Sequence, residues 1–164
     1  MKIALGCDHI VTDIKDKLKE KLTKDGHQVI DVGTYDFVRT HYPIFGQNAA
    51  ELVVNKKADI AVIICGTGVG ISNSAQKVKG ARVALVRDLT QARFARKQYD
   101  ANIIAFGGKI TGLGIIEEAI DIFIRTKFRG DRKVVEYLDS IVKEYKEVSF
   151  TKELKDWDEG KYHD

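Results

Sequence analysis

Eight consecutive residues, Cys65-Gly66-Thr67-Gly68-Val69-Gly70-Ile71-Ser72, bring together a thiol, two hydroxyls and three glycines at alternate positions. Glycines at that spacing let the backbone turn tightly and aim successive N–H groups at one point. Where such a nest opens a helix it suits a phosphate or an oxyanion. The thiol in front of it could attack a substrate or take a proton from carbon. A small buried hydrophobe is the other fate open to such a cysteine. The run is not a P-loop, because no Lys-Ser/Thr pair follows at the required spacing. It also departs from the dinucleotide fingerprint, since Ile71 stands where the third glycine belongs. A tight strand-to-helix turn with no ligand is the plain alternative.

Asp8 and His9 form a second polar pair, able to meet sugar hydroxyls or phosphate. Asp8 could equally cap a helix starting near Val11 or Thr12, and His9 could be a surface residue. Arg39-Thr40-His41-Tyr42 is a polar and aromatic stretch ahead of Pro43, the chain's one proline, and Arg39 could grip a phosphate through two N–H groups. Lys109 follows Gly107-Gly108 and is either solvated or an anion ligand. The four histidines and two cysteines show no metal-ligand spacing.

These residues need elements to hold them. Residues 2–7 read as a strand, 12–24 as an amphipathic helix with Ile14, Leu18 and Leu22 on one face, and 28–32 as a second strand. A helix is expected over 44–56. Residues 60–64 are an unbroken apolar run, as expected of a central parallel strand buried on both faces. A short helix over 71–78, a strand over 82–86, a helix over 89–98, a strand over 102–106 and a helix over 113–128 complete the alternation. The pattern predicts one α/β domain: a Rossmann-like three-layer sandwich around a five-stranded parallel sheet. Ligands of such sheets bind beyond the carboxyl ends of the strands. Residues 7–9, 65–70 and 107–108 all fall there.

From Asp131 onward an apolar stripe runs through Val134, Val135, Leu138, Ile141, Val142, Tyr145 and Val148, which predicts a C-terminal helix used in packing against another subunit, with packing on its own domain as the alternative. Residues 1–148 then make up the domain, with 149–164 a peripheral charged tail. With 27 basic and 24 acidic residues the net charge is only +3, too even for a nucleic-acid or anionic-membrane protein. No apolar run approaches the about 20 residues of a membrane helix, and no signal peptide opens the chain. A cytoplasmic location with both thiols free is expected.

Taken together, Gly6-Cys7-Asp8-His9, Asp31-Val32-Gly33-Thr34, Arg39-Thr40-His41-Tyr42-Pro43, residues 65–72 and Phe106-Gly107 resemble the ribose-5-phosphate isomerase B / galactose-6-phosphate isomerase family. Tyr42-Pro43-Ile44-Phe45-Gly46, Ala84-Leu85-Val86-Arg87-Asp88 and residues 106–112 are most like the B-type chains of its galactose branch. The resemblance implies an aldose–ketose isomerisation through a cis-enediol, with no metal or organic cofactor. It implies Cys65 as the proton carrier, Gly66, Gly68, Val69 and Gly70 as the anion hole, and Thr67 near ring opening. Asp8 and His9 would contact the substrate, Asp8 as a catalytic residue with Cys65 and Thr67, and Arg39 and Tyr42 would line the same pocket. Two positions depart from the pattern. Gln98 stands where the family has its ring-opening histidine, and Glu136 replaces the second of two phosphate-binding arginines, Arg132 matching the first. The resemblance therefore implies that a homologous A subunit supplies the histidine and arginines. Other readings are a self-sufficient ribose-5-phosphate or allose-6-phosphate isomerase, a non-catalytic sugar-phosphate-binding subunit, and a nucleotide-binding domain.

Overall fold

The computed structural model describes residues 1–141 and 151–161. Along them, strands β1 (Lys2–Cys7), β2 (Gln28–Gly33), β3 (Ile60–Cys65), β4 (Val83–Leu85) and β5 (Ile103–Gly107) alternate with helices α1 (Thr12–Lys24), α2 (Tyr42–Val54), α3 (Val69–Gln76), α4 (Leu89–Tyr99) and α5 (Leu113–Arg125). Helices α6 (Arg132–Ser140) and α7 (Thr151–Asp158) follow. The strands form one sheet in the order β2-β1-β3-β5-β4, every pair parallel.

The three inner strands are buried on both faces, and their side chains alternate between two cores. Ile60, Val62 and Ile64 of β3 join Leu5, Phe106, Leu18 and Phe123 on the face covered by α1, α4 and α5. Ala61, Ile63 and Cys65 join Ala4, Ala105, Ala49 and Ile71 on the face covered by α2 and α3. The second core is rich in alanine, so α2 and α3 lie close to the sheet. The two cysteines thus sit on opposite faces: Cys7 in the first core, Cys65 in the second.

Register sets the site. Cys7 lies opposite Ile64 and Cys65 opposite Gly107, so β1, β3 and β5 end level with one another. Between β1 and β3 the chain order reverses direction across the sheet, and ligands of such sheets bind beyond the strand ends at that point.

Several element boundaries differ from the sequence reading. Helix α2 starts at Tyr42, two residues early, because Pro43 is fixed in a helical φ and suits the first turn. Helix α3 starts at Val69 rather than Ile71, since Gly68 adopts the left-handed conformation that ends the loop. Helix α5 stops at Arg125, and β4 is only three residues long. The C-terminal stripe forms a helix as far as Ser140, with Val135 buried. Its members Val142, Tyr145 and Val148 lie outside the described residues. The stretch expected to be a peripheral tail contains α7, which buries no residue of its own. No helix among the described residues is long and apolar enough to cross a membrane.

Candidate active site

Strand β3 ends at Cys65, which is 5% exposed. The chain then turns through residues 66–68, and Gly68 takes φ +80°, a conformation a side chain resists. That turn folds the Gly68 N–H back on Cys65, where it donates to Sγ at 3.2 Å. The Val69 N–H lies 3.4 Å from Thr67 Oγ1. The first backbone N–H groups of α3 have no carbonyl one turn earlier to receive them, so they form a set of donors at the mouth of the loop. Thr67 and Val69 are exposed at this mouth.

The neighbouring strand ends wall the loop. From β5, the Gly108 N–H donates to Cys65 O at 2.8 Å and the Lys109 N–H to Gly66 O at 3.0 Å. The Lys109 side chain is exposed beside Gly66, and Ile10 lies against the same glycine. From β1, the Asp8 N–H donates to Ile64 O at 2.9 Å, which fixes Asp8 next to the end of β3. Asp8 is 6% exposed, and its Oδ1 accepts the Ile10 N–H at 3.0 Å and lies 2.7 Å from His9 Nδ1. The carboxylate therefore both caps the short 3-10 turn His9–Val11 and anchors the imidazole through Nδ1.

A third wall is the segment between β2 and α2. Thr12 Oγ1 donates to Asp36 O at 2.7 Å, and the Thr40 N–H approaches His9 Nδ1 at 3.4 Å. At its end, Tyr42 lies against Gly70 so closely that any side chain at 70 would strike its ring. Asp8, His9, Cys65, Thr67, residues 66–70, Tyr42 and Lys109 are thereby brought together at one end of the sheet. The described contacts of the Arg39 side chain are with Trp157, whose ring lies 5.1 Å from the guanidinium carbon.

The two thiols differ chemically. Cys7 is fully buried, and burial pushes its thiol up to about 12 against smaller opposing effects from the Thr34 and Thr12 hydrogen bonds. It is a core residue. Beneath the β2 side of the site lies an ion pair: Lys15, 1% exposed, meets Asp31, 8% exposed, at 2.7 Å, and Lys19 joins it at 3.0 Å. Burial opposes charge on Asp31, yet the two lysines and the Gly33 N–H outweigh it and hold the carboxyl below its ordinary range.

Gln98 and Arg132 lie elsewhere. Gln98 is in the last turn of α4, just ahead of the amino end of β5, with Gly130 packed on its backbone. Arg132 pairs with Asp100 at 2.9 Å and stacks over Phe128. The five residues of β5 separate these groups from Cys65 by about 16 Å at the rise of a strand. Among the described residues no cluster of His, Cys, Asp and Glu is disposed to hold a metal. Ile10 and Trp157 were not found from sequence. Ile10 carries no chemical signal, and Trp157 lies 118 residues from Arg39.

A protein-family profile described as Ribose/Galactose Isomerase matches residues 3–150. The galactose-6-phosphate isomerase subunit LacB of Clostridium acetobutylicum is 52% identical, over 99% of this chain and 98% of that protein. Ribose-5-phosphate isomerase B of Escherichia coli is 36% identical, over 80% of this chain and 88% of its own. In three dimensions, ribose-5-phosphate isomerase B of Clostridium thermocellum superimposes with a TM-score of 0.85 at 38% identity, covering 89% of this chain and 100% of that one.

Proposed function

The chain belongs to the ribose/galactose isomerase family, and from that premise we propose that it is a catalytic subunit interconverting galactose 6-phosphate and tagatose 6-phosphate in the cytoplasm, where sugar phosphates are held. The observation that carries this reading is the Cys65 sulfur, which accepts the Gly68 N–H just ahead of α3, with Asp8 fixed next to the end of β3 and paired with His9.

On the open-chain sugar, the Cys65 sulfur takes the proton from C2 and returns it to C1. The electron pair left at C2 forms the C1–C2 double bond of a cis-enediol, and a hydroxyl proton passes between O2 and O1 to complete the exchange. Negative charge on the enediol oxygen is met by the N–H groups at the start of α3. Thr67 and the Asp8–His9 pair hold the hydroxyls, and Arg39, Tyr42 and Lys109 line the chain of the sugar. The site is half of an enzyme. Gln98 has no proton to exchange near neutral pH, and within one chain it lies at the wrong end of the sheet. A homologous A subunit supplies the ring-opening histidine and the phosphate-binding arginines, with the apolar face of α6 as part of the contact.

The test is co-expression with an A-type homologue, followed by isomerase assays on galactose 6-phosphate, ribose 5-phosphate and allose 6-phosphate. Activity on galactose 6-phosphate by the pair, and not by either chain alone, is the expected result. Equal activity of the isolated chain points instead to a self-sufficient enzyme. Full activity of a Cys65→Ala pair would leave this chain a non-catalytic binding subunit.

A further inference from the structure

Trp157 is the only tryptophan of the chain. It lies in α7, beyond residue 150 where the family match ends. A helix of eight residues with no buried side chain does not hold itself in water. Its contacts to the segment before α2 therefore matter. The indole stacks on the His41 ring at 5.5 Å between centroids with 29° between planes. The Arg39 guanidinium carbon lies 5.1 Å over the same indole, and Nε1–H donates to Arg39 O at 3.2 Å. Arg39 and His41 bracket Thr40, which approaches His9, and they precede Tyr42, which lies against Gly70. One indole thus bears on the segment that joins the His9 wall to the anion nest. Stacking occupies the flat face of a guanidinium and leaves its N–H edge, the part that grips an anion.

We propose that Trp157 is a positioning residue for the substrate: α7 straps residues 39–41 and so holds Thr40 beside His9 and Tyr42 beside Gly70. This rests on the function proposed above, because the strap has a purpose only if that loop receives a sugar phosphate. The described contacts of Trp157 are with Arg39 and His41, so the strap acts on binding rather than on proton transfer.

The experiment compares the full-length chain, paired with its A-type partner, as wild type, Trp157→Ala and Trp157→Phe. For galactose 6-phosphate, Trp157→Ala should raise KM about tenfold with kcat held within about twofold, and Trp157→Phe, which keeps an aromatic face, should restore most of the loss. A second readout needs no turnover. Trypsin cleaves after Arg39, and Trp157→Ala should speed that cut several-fold in the native chain while Trp157→Phe does so less. An unchanged KM in Trp157→Ala overturns the proposal, as does a fall in kcat equal to the rise in KM. If the wild-type pair isomerises no sugar phosphate, the function above falls; the tryptic rates then decide the strap alone, and an unchanged cut after Arg39 removes it too.

Discussion

The N–H of Gly68 and the sulfur of Cys65 are hydrogen-bonded at 3.2 Å, so the residue that shapes the anion loop also fixes the group proposed to move the proton. The other cysteine, on the opposite face of the sheet, has no such role.

The two thiols should separate cleanly. Cys65→Ala in the A-type pair should lower kcat by about 10²–10⁴, the range for loss of a positioned proton carrier, while KM and the melting temperature change little. Cys7→Ala should leave kcat within about twofold, because Cys7 lies in the core on the face of the sheet opposite to Cys65. Peptide mapping after mild alkylation should find the first adduct on Cys65, which retains 5% exposure, and none on Cys7 until the chain unfolds. Labelling of Cys7 ahead of Cys65 would contradict this assignment.

Gly68 should tolerate nothing larger. Its φ of +80° disfavours any side chain, and a Cβ would lie within 3 Å of the Leu85 side chain and of the Phe106 and Gly107 backbone. Gly68→Ala should cost about 1–2 kcal/mol from the left-handed backbone and more from the clash, with activity lost as the loop moves off Cys65. Gly114, in the first turn of α5 with open space around it, is the contrast: Gly114→Ala should stabilise by up to about 1 kcal/mol. Urea melts read both.

Some of this was legible in the sequence for clear physical reasons. The unbroken apolar run at β3 can satisfy two cores only as a central strand, and the bounds of β1 and α1 follow from Cys7-Asp8 and Gly26 as punctuation. That the polar segments converge follows from parallel strands ending on one side. What could not be read depends on distance or on handedness. The earlier start of α3 comes from the left-handed Gly68, and the fates of Cys7 and Cys65 come from which face each strand residue takes. The Trp157–Arg39 contact spans 118 residues with no periodic signal.

The buried pair Lys15–Asp31 should dominate the pH dependence of stability on the β2 side. The folded carboxyl lies below its ordinary 3.8. Its contribution is therefore complete above that value and is lost as pH falls through the depressed one. For Lys15, burial disfavours the charge, but the hydrogen bonds it donates to Asp31 and Asp16 outweigh that and raise it above its ordinary 10.5. Its contribution is complete below 10.5 and is lost as pH rises through the raised value. Lys15→Met should cost about 3 kcal/mol near neutrality, the low end for stripping a partner from a buried ion, because Lys19 still meets Asp31. Lys15→Met with Asp31→Leu should recover much of that and flatten the profile at both extremes. Thermal melts from pH 3 to 11 check the signs; a double variant no more stable than Lys15→Met would argue against a simple buried pair.

If the missing acid and phosphate ligand come from another subunit, this chain should gain function when it is given them. Gln98 sits at the end of α4 beside Gly130, and Glu136 lies one turn after Arg132 on the exposed side of α6. A histidine and an arginine placed there would be held off their own Cys65 by the length of β5, so they could complete only the site of another copy. Gln98→His with Glu136→Arg, assayed without any A-type partner, should therefore exceed the unmodified chain by about 10²-fold or more, since a positioned general acid is worth that much. Specific activity should rise with protein concentration as copies associate, and adding Cys65→Ala should abolish it. Activity that is independent of dilution would mean that one chain completes its own site, and the two-subunit arrangement would be wrong.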